Sequence, residues 1–361
     1  MRIALAYNQR PDALQDGGDT DGDGASESLC VEAFVEWDEP ATIQAVADAL
    51  AALGEVIPLE ATGDFPSRLH NSRPDLLFNM AEGLSGPSRE AQVPAIAEFL
   101  GIPYTGSDPL TLALALHKAR SKEIWQRHGI PTAPFVLIAD RDDVEQLRRF
   151  QHYPAFLKPA WEGSSKGITQ ANLVEHPARA IEQCVHLLDR YQQPILAESF
   201  LPGDEFTVAV LGNGDRTTCL PLIRYRFDGL PAGAVPVVGF EAKWTWDQPH
   251  DPLEILECPA AIAPALEAVL RDTALRAYRC LGCRDWGRVD LRLDPAGVPS
   301  VIEINPLPGV IPDPVANSCF PRAAHEAGMT HAELIQHVAS IAWQRITGTP
   351  LSVPTLAGAA S

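Results

Sequence analysis

The chain has 361 residues, 46% of them hydrophobic, and a formal net charge of −19. That length allows two or three domains with a sizeable core. The acidic balance argues against nucleic acid or an anionic membrane as partner, since both need a basic footprint. The apolar start MRIALAY is too short for a signal peptide, and no apolar run is long enough to span a bilayer. Seven scattered cysteines fit a reducing cytoplasm, and the one C-x-x-C, Cys280 and Cys283, cannot close a four-ligand zinc site.

MRIALAY (1–7) has the pattern of a buried strand opening an α/β domain. A Gly/Asp-rich insert follows at 9–28, with Asp19, Asp21, Asp23 and Gly24 in the register of a calcium loop. Cys30 stands where such a loop needs a bidentate glutamate, so an acidic surface loop is expected instead. An amphipathic helix over 40–54, a strand at 55–60 and another at 74–80 come next, then a helix within 85–101 and a short strand IPYTG. Strands alternating with helices imply a mostly parallel sheet with ligands at the strands' carboxyl ends, which puts Glu82 and Glu90 near a site.

The spacing then predicts one helix over 111–130, stopped by Gly129. In YPAFLKPAWEGSSKGI (153–168) a strand carries Lys158 inward, and a Gly/Ser-rich turn offers N–H and hydroxyl groups suited to phosphate oxygens. PARAIEQCVHLLDRY is a helix, and PILAESFLPGDEFTVAVLG reads as strand, turn, strand, with Glu198 and Glu205 flanking the turn. Lys243 falls in an expected loop between strands, and a helix over 260–281 leads to a hairpin. A capped turn and a final helix follow, with 346–361 as a frayed tail.

That hairpin, RDWGRVDLRLDPAGVPSVIEINPLPG (284–309), alternates polar and apolar residues on either side of Asp294–Gly297. Trp286, Arg288, Asp290 and Arg292 share one face of its first strand. Glu303 and Asn305 share a face of the second, with Ile302 and Ile304 opposite. Pairing Leu293 with Ser300 sets Asp290 against Glu303 and Arg288 against Asn305. Opposed like charges destabilise a sheet, so two carboxylates and an amide oxygen on one face ask for a hard cation, Mg²⁺ or Mn²⁺.

GIPYTGS…HKARSK, FLKPAWEGSSKGI, ILAESFLPGDEFTVAVLG and GRVDLRLD…VIEINPLPG, in that order, resemble the D-alanine–D-alanine ligase family of the ATP-grasp superfamily. The likeness runs from about Phe78 to Arg345. It implies an open parallel-sheet α/β domain (1–117) followed by a two-lobed ATP-grasp fold (118–196 and 197–345), with a tail at 346–361. It also implies a cytoplasmic enzyme, a homodimer by family precedent, that uses ATP with two Mg²⁺ ions (Mn²⁺ as a substitute) to join small amino-acid substrates through an acyl phosphate.

By the same resemblance Lys118 and Lys158 contact the phosphates, Lys243 does so from a mobile lid, and Glu162, Gly163, Ser164 and Ser165 belong to the loop over the γ-phosphate. Glu198 lies near the adenine amino group, Ser199, Phe200 and Leu201 along the adenine edge, and Glu205 at the ribose hydroxyls. Asp290, Glu303 and Asn305 hold metal, while Arg288 and Gly309 stabilise the oxyanion. Arg288 and Ser318 suit the second substrate's carboxylate, and Ser164 takes part in a network around the first substrate's amine.

The substrate end departs from the family. Its N-terminal G-G-x-S-x-E segment is missing, and FVEWDEPAT offers Glu36, Asp38 or Glu39 in its place. Glu82 stands for the family's histidine, Glu90 keeps the later acid, and Trp244 replaces the tyrosine after the lid lysine. Glu82 either binds an ammonium directly or excludes a substrate that the histidine accepts. The expected function is a D-alanine–D-alanine ligase or a related ligase of a specialised pathway using another amino acid or amine. A nucleotide-binding module without turnover is the rival from another class. A dinucleotide oxidoreductase is disfavoured, because no glycine fingerprint follows the first strand.

Overall fold

The computed structural model describes residues 1–11, 32, 34–231, 233–246, 253–313 and 316–351, with the side chains of 243–245 outside that set. The calcium-like stretch 19–30 and most of the expected tail therefore lie outside the described residues. The final helix itself runs into that tail, as far as Thr347.

Strand β1 (Arg2–Tyr7) is central in a parallel sheet, with β2 (Glu55–Glu60) on one side and β3 (Leu76–Asn79) on the other. Helix α1 (Pro40–Ala51) covers it, burying Thr42, Ile43, Val46, Ala49 and Leu50 at helical spacing. Between β2 and β3 the chain forms α2 (Phe65–Ser72). After β3 come α3 (Gln92–Leu100), α4 (Pro109–Leu116) and α5 (Lys118–Arg127). The short strand expected at IPYTG is only a single parallel bridge, Tyr104 to Leu77.

The single helix expected over 111–130 is broken at His117 (φ −86°, ψ 88°). Lys118 N–H donates 3.0 Å to the Ala160 carbonyl instead of to the preceding turn. Ser121 Oγ takes up the Leu114 carbonyl at 2.7 Å. The break docks the start of α5 against the end of the Lys158 strand, and hydrophobic periodicity carries no trace of it.

A second, antiparallel sheet orders β4 (Phe135–Ile138), β5 (Ala155–Pro159), β6 (Leu173–Val174) and β7 (Ile195–Ser199) as β4-β7-β5-β6. Helix α6 (Pro177–Tyr191) packs on it through Ala180, Cys184, Leu187 and Leu188. The division expected between 196 and 197 falls inside β7, which carries the sheet on to Ser199.

The third sheet contains β8 (Glu205–Leu211), β9 (Thr218–Cys219), β10 (Ile223–Tyr225), β11 (Leu256–Glu257), β12 (Trp286–Leu293) and β13 (Pro299–Asn305). Its order is β11-β10-β8-β12-β13, with β9 on β8. Residues Glu241–Trp246, expected as loop, form a π-helical turn. Helix α7 (Pro264–Leu281) backs the sheet, and α8 (Cys319–Glu326) and α9 (His331–Thr347) complete the chain. Thr330 and Glu333 close a reciprocal capping box at the start of α9.

Trp286, fully buried, joins the first and third sheets by edge contacts to Phe78 and Phe320, each 5.7 Å between centroids. Burying a side chain of this kind stabilises by about 3 kcal/mol, and here it fixes where β12 begins. Among the described residues no helix is long and apolar enough to cross a membrane.

The hairpin register holds where the chemistry lies. Arg288 faces Asn305 and Asp290 faces Glu303. Beyond Asp290 the register shifts, so Leu293 pairs with Pro299 rather than Ser300. Ile302 is the extra residue, a bulge, and it lines the same cavity as Glu303 instead of the opposite face. At the tip Asp294 Oδ1 accepts from Ala296 and Val298 N–H, both at 2.8 Å, and Gly297 takes φ +77°.

Candidate functional site

A cleft of about 820 Å³ opens between the two antiparallel sheets. One wall is Phe156 and Lys158 of β5 with Glu198 and Ser199 of β7, and the other is Glu205, Arg292 and Val301 to Glu303 of the third sheet. Lys118, Glu162, Gly163, Ser165, Phe200 and Leu201 also line it. Residues expected at the two ends of a nucleotide thus share one cavity. Its apolar surfaces, Phe156, Leu201, Val238 and Ile302, suit a flat ring, and Lys118, Lys122 and Lys158 line it as well.

Glu198 is held between two buried lysines, Lys158 Nζ at 2.5 Å from Oε1 and Lys122 Nζ at 2.7 Å from Oε2. Burial alone would raise this carboxyl, but the two ammonium groups outweigh it and hold it below the usual range. At Lys122 the balance is the reverse: burial wins, and the ammonium is pushed down. Glu205 meets Arg292 Nη1 at 2.8 Å, and that guanidinium stacks 4.8 Å from the Phe200 ring centre. Burial pushes the Glu205 carboxyl up to about 7 despite Arg292.

At the hairpin, Arg288 grips Asp290 through two bonds, Nε to Oδ1 at 3.0 Å and Nη2 to Oδ2 at 2.9 Å. Thr207 Oγ1 also donates to Asp290. Lys118 Nζ lies 3.1 Å from Glu303 Oε2 and also donates to the Glu162 carbonyl. Burial works against the Glu303 carboxylate, yet Lys118, Lys158 and Arg288 outweigh it and bring its pKa down to about 2. Asn305 Oδ1 accepts from Leu307 N–H at 3.0 Å. Among the described residues no three His, Cys, Asp or Glu side chains form a ready metal cluster. The candidate set is two facing carboxylates and an amide, all oxygen donors on one side of a ladder, and it fits a hard divalent ion.

The loop after β5 is tightly bent, with Ser164 and Ser165 both left-handed (φ 46° and 63°) and Gly167 at φ +70°. Ser165 Oγ anchors to the Val238 carbonyl at 2.7 Å.

The end where the first substrate is expected is acidic. Glu82 and Glu90 follow the carboxyl end of β3, where the parallel sheet was expected to present ligands. Burial, then the neighbouring Glu90 and Glu36 carboxylates, push Glu82 well above the usual range. Burial likewise raises Glu90 to about 7, and Asp38 to about 7. Of the three candidates for the missing glutamate, Glu36 is engaged by Arg89 and Lys166, and Glu39 pairs with Arg10 at an exposed position. Asp38 remains. Ser318 is buried and leads into α8, beside Cys319, whose Sγ is 3.0 Å from Tyr225 Oη. Gly309 is exposed in the loop after β13. The side chains of Lys243 and Trp244 fall outside the described residues.

Sequence reasoning missed four charged residues. Lys122 is four residues after Lys118 and so shares its helical face, a signal available in HKARSK. Arg292 alternates with Arg288 and Asp290 along β12, and the family resemblance gives it no role. Arg89 and Lys166 act through contacts between distant segments, and no local pattern marks them.

Residues 124–340, well over half the chain, match the family model described as D-ala D-ala ligase C-terminus. The D-alanine–D-alanine ligase of Marinomonas sp. is 33% identical over 308 residues, 83% of this chain and 90% of that enzyme. The D-alanine–D-alanine ligase of Nitrosospira multiformis is 34% identical over 253 residues, 70% of this chain and 75% of that enzyme. Among solved structures, the D-alanine–D-alanine ligase from Bacillus anthracis complexed with ATP aligns at a TM-score of 0.64 and 20% identity, over 96% of this chain and 98% of that one.

Proposed function

Because the chain belongs to the D-alanine–D-alanine ligase family, whose members are ATP-dependent ligases, we propose that it joins two amino acids by activating the carboxylate of the first as an acyl phosphate. The observation that carries this reading is the convergence of Lys118, Lys158, Glu198, Glu205 and Glu303 on one cleft, with Asp290 opposite Glu303 on the neighbouring strand.

A carboxylate resists attack because it is already anionic. One of its oxygens attacks the γ-phosphorus of ATP, and ADP leaves. The amine of the second amino acid then adds to the acyl carbon and loses a proton. Phosphate departs with the former carboxylate oxygen, and an amide remains. Lys118 and Lys158 neutralise and align the phosphates, a role that the family resemblance also gives Lys243. Glu205 accepts the ribose hydroxyls, while Glu198 and the edge Ser199, Phe200 and Leu201 hold the purine. Arg288 and the Gly309 amide face the developing oxyanion. Asp290, Glu303 and Asn305 would hold two Mg²⁺ ions, or Mn²⁺, which supply charge neutralisation at the transferred phosphoryl group.

The first amino acid's ammonium is bound by Asp38, Glu82 and Glu90, since Glu36 is committed elsewhere. Ser164 belongs to the network around this amine, where the family resemblance also puts position 244, and Ser318 with Arg288 takes the second carboxylate. A second reading, ligation of an amino acid or amine other than D-alanine, is favoured by this same acidic lining, where Glu82 stands in place of the family's histidine.

Phosphate release from Mg-ATP with D- and L-amino acids, singly and in pairs, tests the proposal when combined with mass spectrometry of the product. Release that requires a pair supports it. ATP binding without release under any pair contradicts it.

A further inference from the structure

We propose that Glu36 and Arg89 form a clamp by which the N-terminal part of the chain holds the 163–167 loop in its working conformation, making both of them positioning residues for ligation. The inference rests on reading that loop as the phosphate cover, and it adds a dependence of the loop on a distant segment.

Glu36 uses both oxygens. Oε1 accepts from Arg89 Nη2 at 2.9 Å and from the Gly163 amide at 3.1 Å, across 127 residues of sequence. Oε2 accepts from Arg89 Nη2 at 2.9 Å and meets Lys166 Nζ at 2.8 Å. Arg89 Nη1 donates 2.7 Å to the Trp161 carbonyl, just before the loop. Glu162 closes the set, 3.2 Å from Lys166 and 3.5 Å from Arg89. Two cations and two anions cancel, and the Glu36 and Arg89 side chains are each only 5% exposed.

Two further observations tie this network to the loop's shape. A Cβ added at Gly163 would come within 2.4 Å of Glu36 Oε1, so the contact needs glycine there. Ser164 and Ser165 hold consecutive left-handed conformations without being glycine, and such strain persists only where surrounding contacts over-determine it. The clamp supplies those contacts from one side, and the Lys118 bond to the Glu162 carbonyl supplies one from the other. Releasing the clamp lets the loop relax and admits water to the acyl phosphate, so that ATP is spent without ligation.

The test uses the full-length protein and compares Glu36→Gln, the charge-balanced pair Glu36→Gln with Arg89→Gln, and Gly163→Ala, which removes no charge. Three quantities are read: amide hydrogen exchange over 162–168 without nucleotide, phosphate released per product formed, and KM for ATP against KM for the second amino acid. The clamp predicts exchange faster by about tenfold or more, the equivalent of about 1.4 kcal/mol of lost protection. It also predicts a phosphate-to-product ratio several times that of the wild type and a raised KM for ATP, with KM for the second amino acid unchanged. Folded variants with wild-type exchange and wild-type coupling would overturn it. If Glu36→Gln does not fold, Gly163→Ala alone decides. A wild-type protein that releases no phosphate would sink the ligase reading instead, and the exchange measurement would still judge the clamp.

Discussion

Asp290 and Glu303 face each other across the β12–β13 ladder, and each is held by a different cation, Arg288 on the first and Lys118 on the second. Facing carboxylates would repel without those partners. On the proposed function, a divalent ion bound with nucleotide would draw on the same oxygens. Asp290→Asn and Glu303→Gln should each lower kcat by at least about 100-fold, the loss expected when several kcal/mol of metal stabilisation disappears. The circular dichroism spectrum should stay that of the wild type. Near-normal turnover in either variant would refute the metal assignment.

Lys122, fully buried, serves Glu198 and not the solvent. Lys158 stays on the other oxygen when Lys122 is removed, so what is lost is one buried charge-assisted bond, about 1.5 to 3 kcal/mol. Lys122→Met should therefore lower stability to urea by that order. In a Glu198→Gln background the same change should cost less, a coupling read from the double-mutant cycle. Strict additivity would mean that the pair does not act as a unit.

The acidic group around Glu82 and Glu90 makes stability depend on pH. Glu90 and Asp38 both titrate near 7 in the folded protein, above their unfolded values of 4.5 and 3.8. A carboxyl raised by folding contributes stability that is fully present below its unfolded pKa and is lost as pH rises through the folded value. Arg89 and Lys118 near Glu90, and Arg10 near Asp38, limit the effect but do not cancel it. The substrate-free protein should therefore lose thermal stability between about pH 5 and pH 8. Glu90→Gln should flatten part of that slope in a series of melting curves. An unchanged slope would show that Glu90 does not titrate there.

The legible parts of this protein were those set by short-range pattern. Alternation along 286–293 and 299–305 put Asp290 opposite Glu303, because two strands joined by a tight turn have few registers. The bulge at Ile302 was not legible, since one extra residue leaves the polar and apolar pattern almost intact. The break at His117 was invisible for a different reason: its cause is the Ala160 carbonyl, more than forty residues away. Glu36 shows the same limit at the site. The sequence marked it as a carboxylate in a suitable place, and only the folded chain brings Arg89, Lys166 and the Gly163 amide to it.

The most direct test of the central claim follows an oxygen atom. The first amino acid is supplied with ¹⁸O in its carboxylate, together with Mg-ATP and the second amino acid, and the released phosphate is analysed by mass spectrometry. Activation through an acyl phosphate predicts one ¹⁸O in each phosphate formed, with ADP as the other nucleotide product. Phosphate free of label, or AMP in place of ADP, would contradict it.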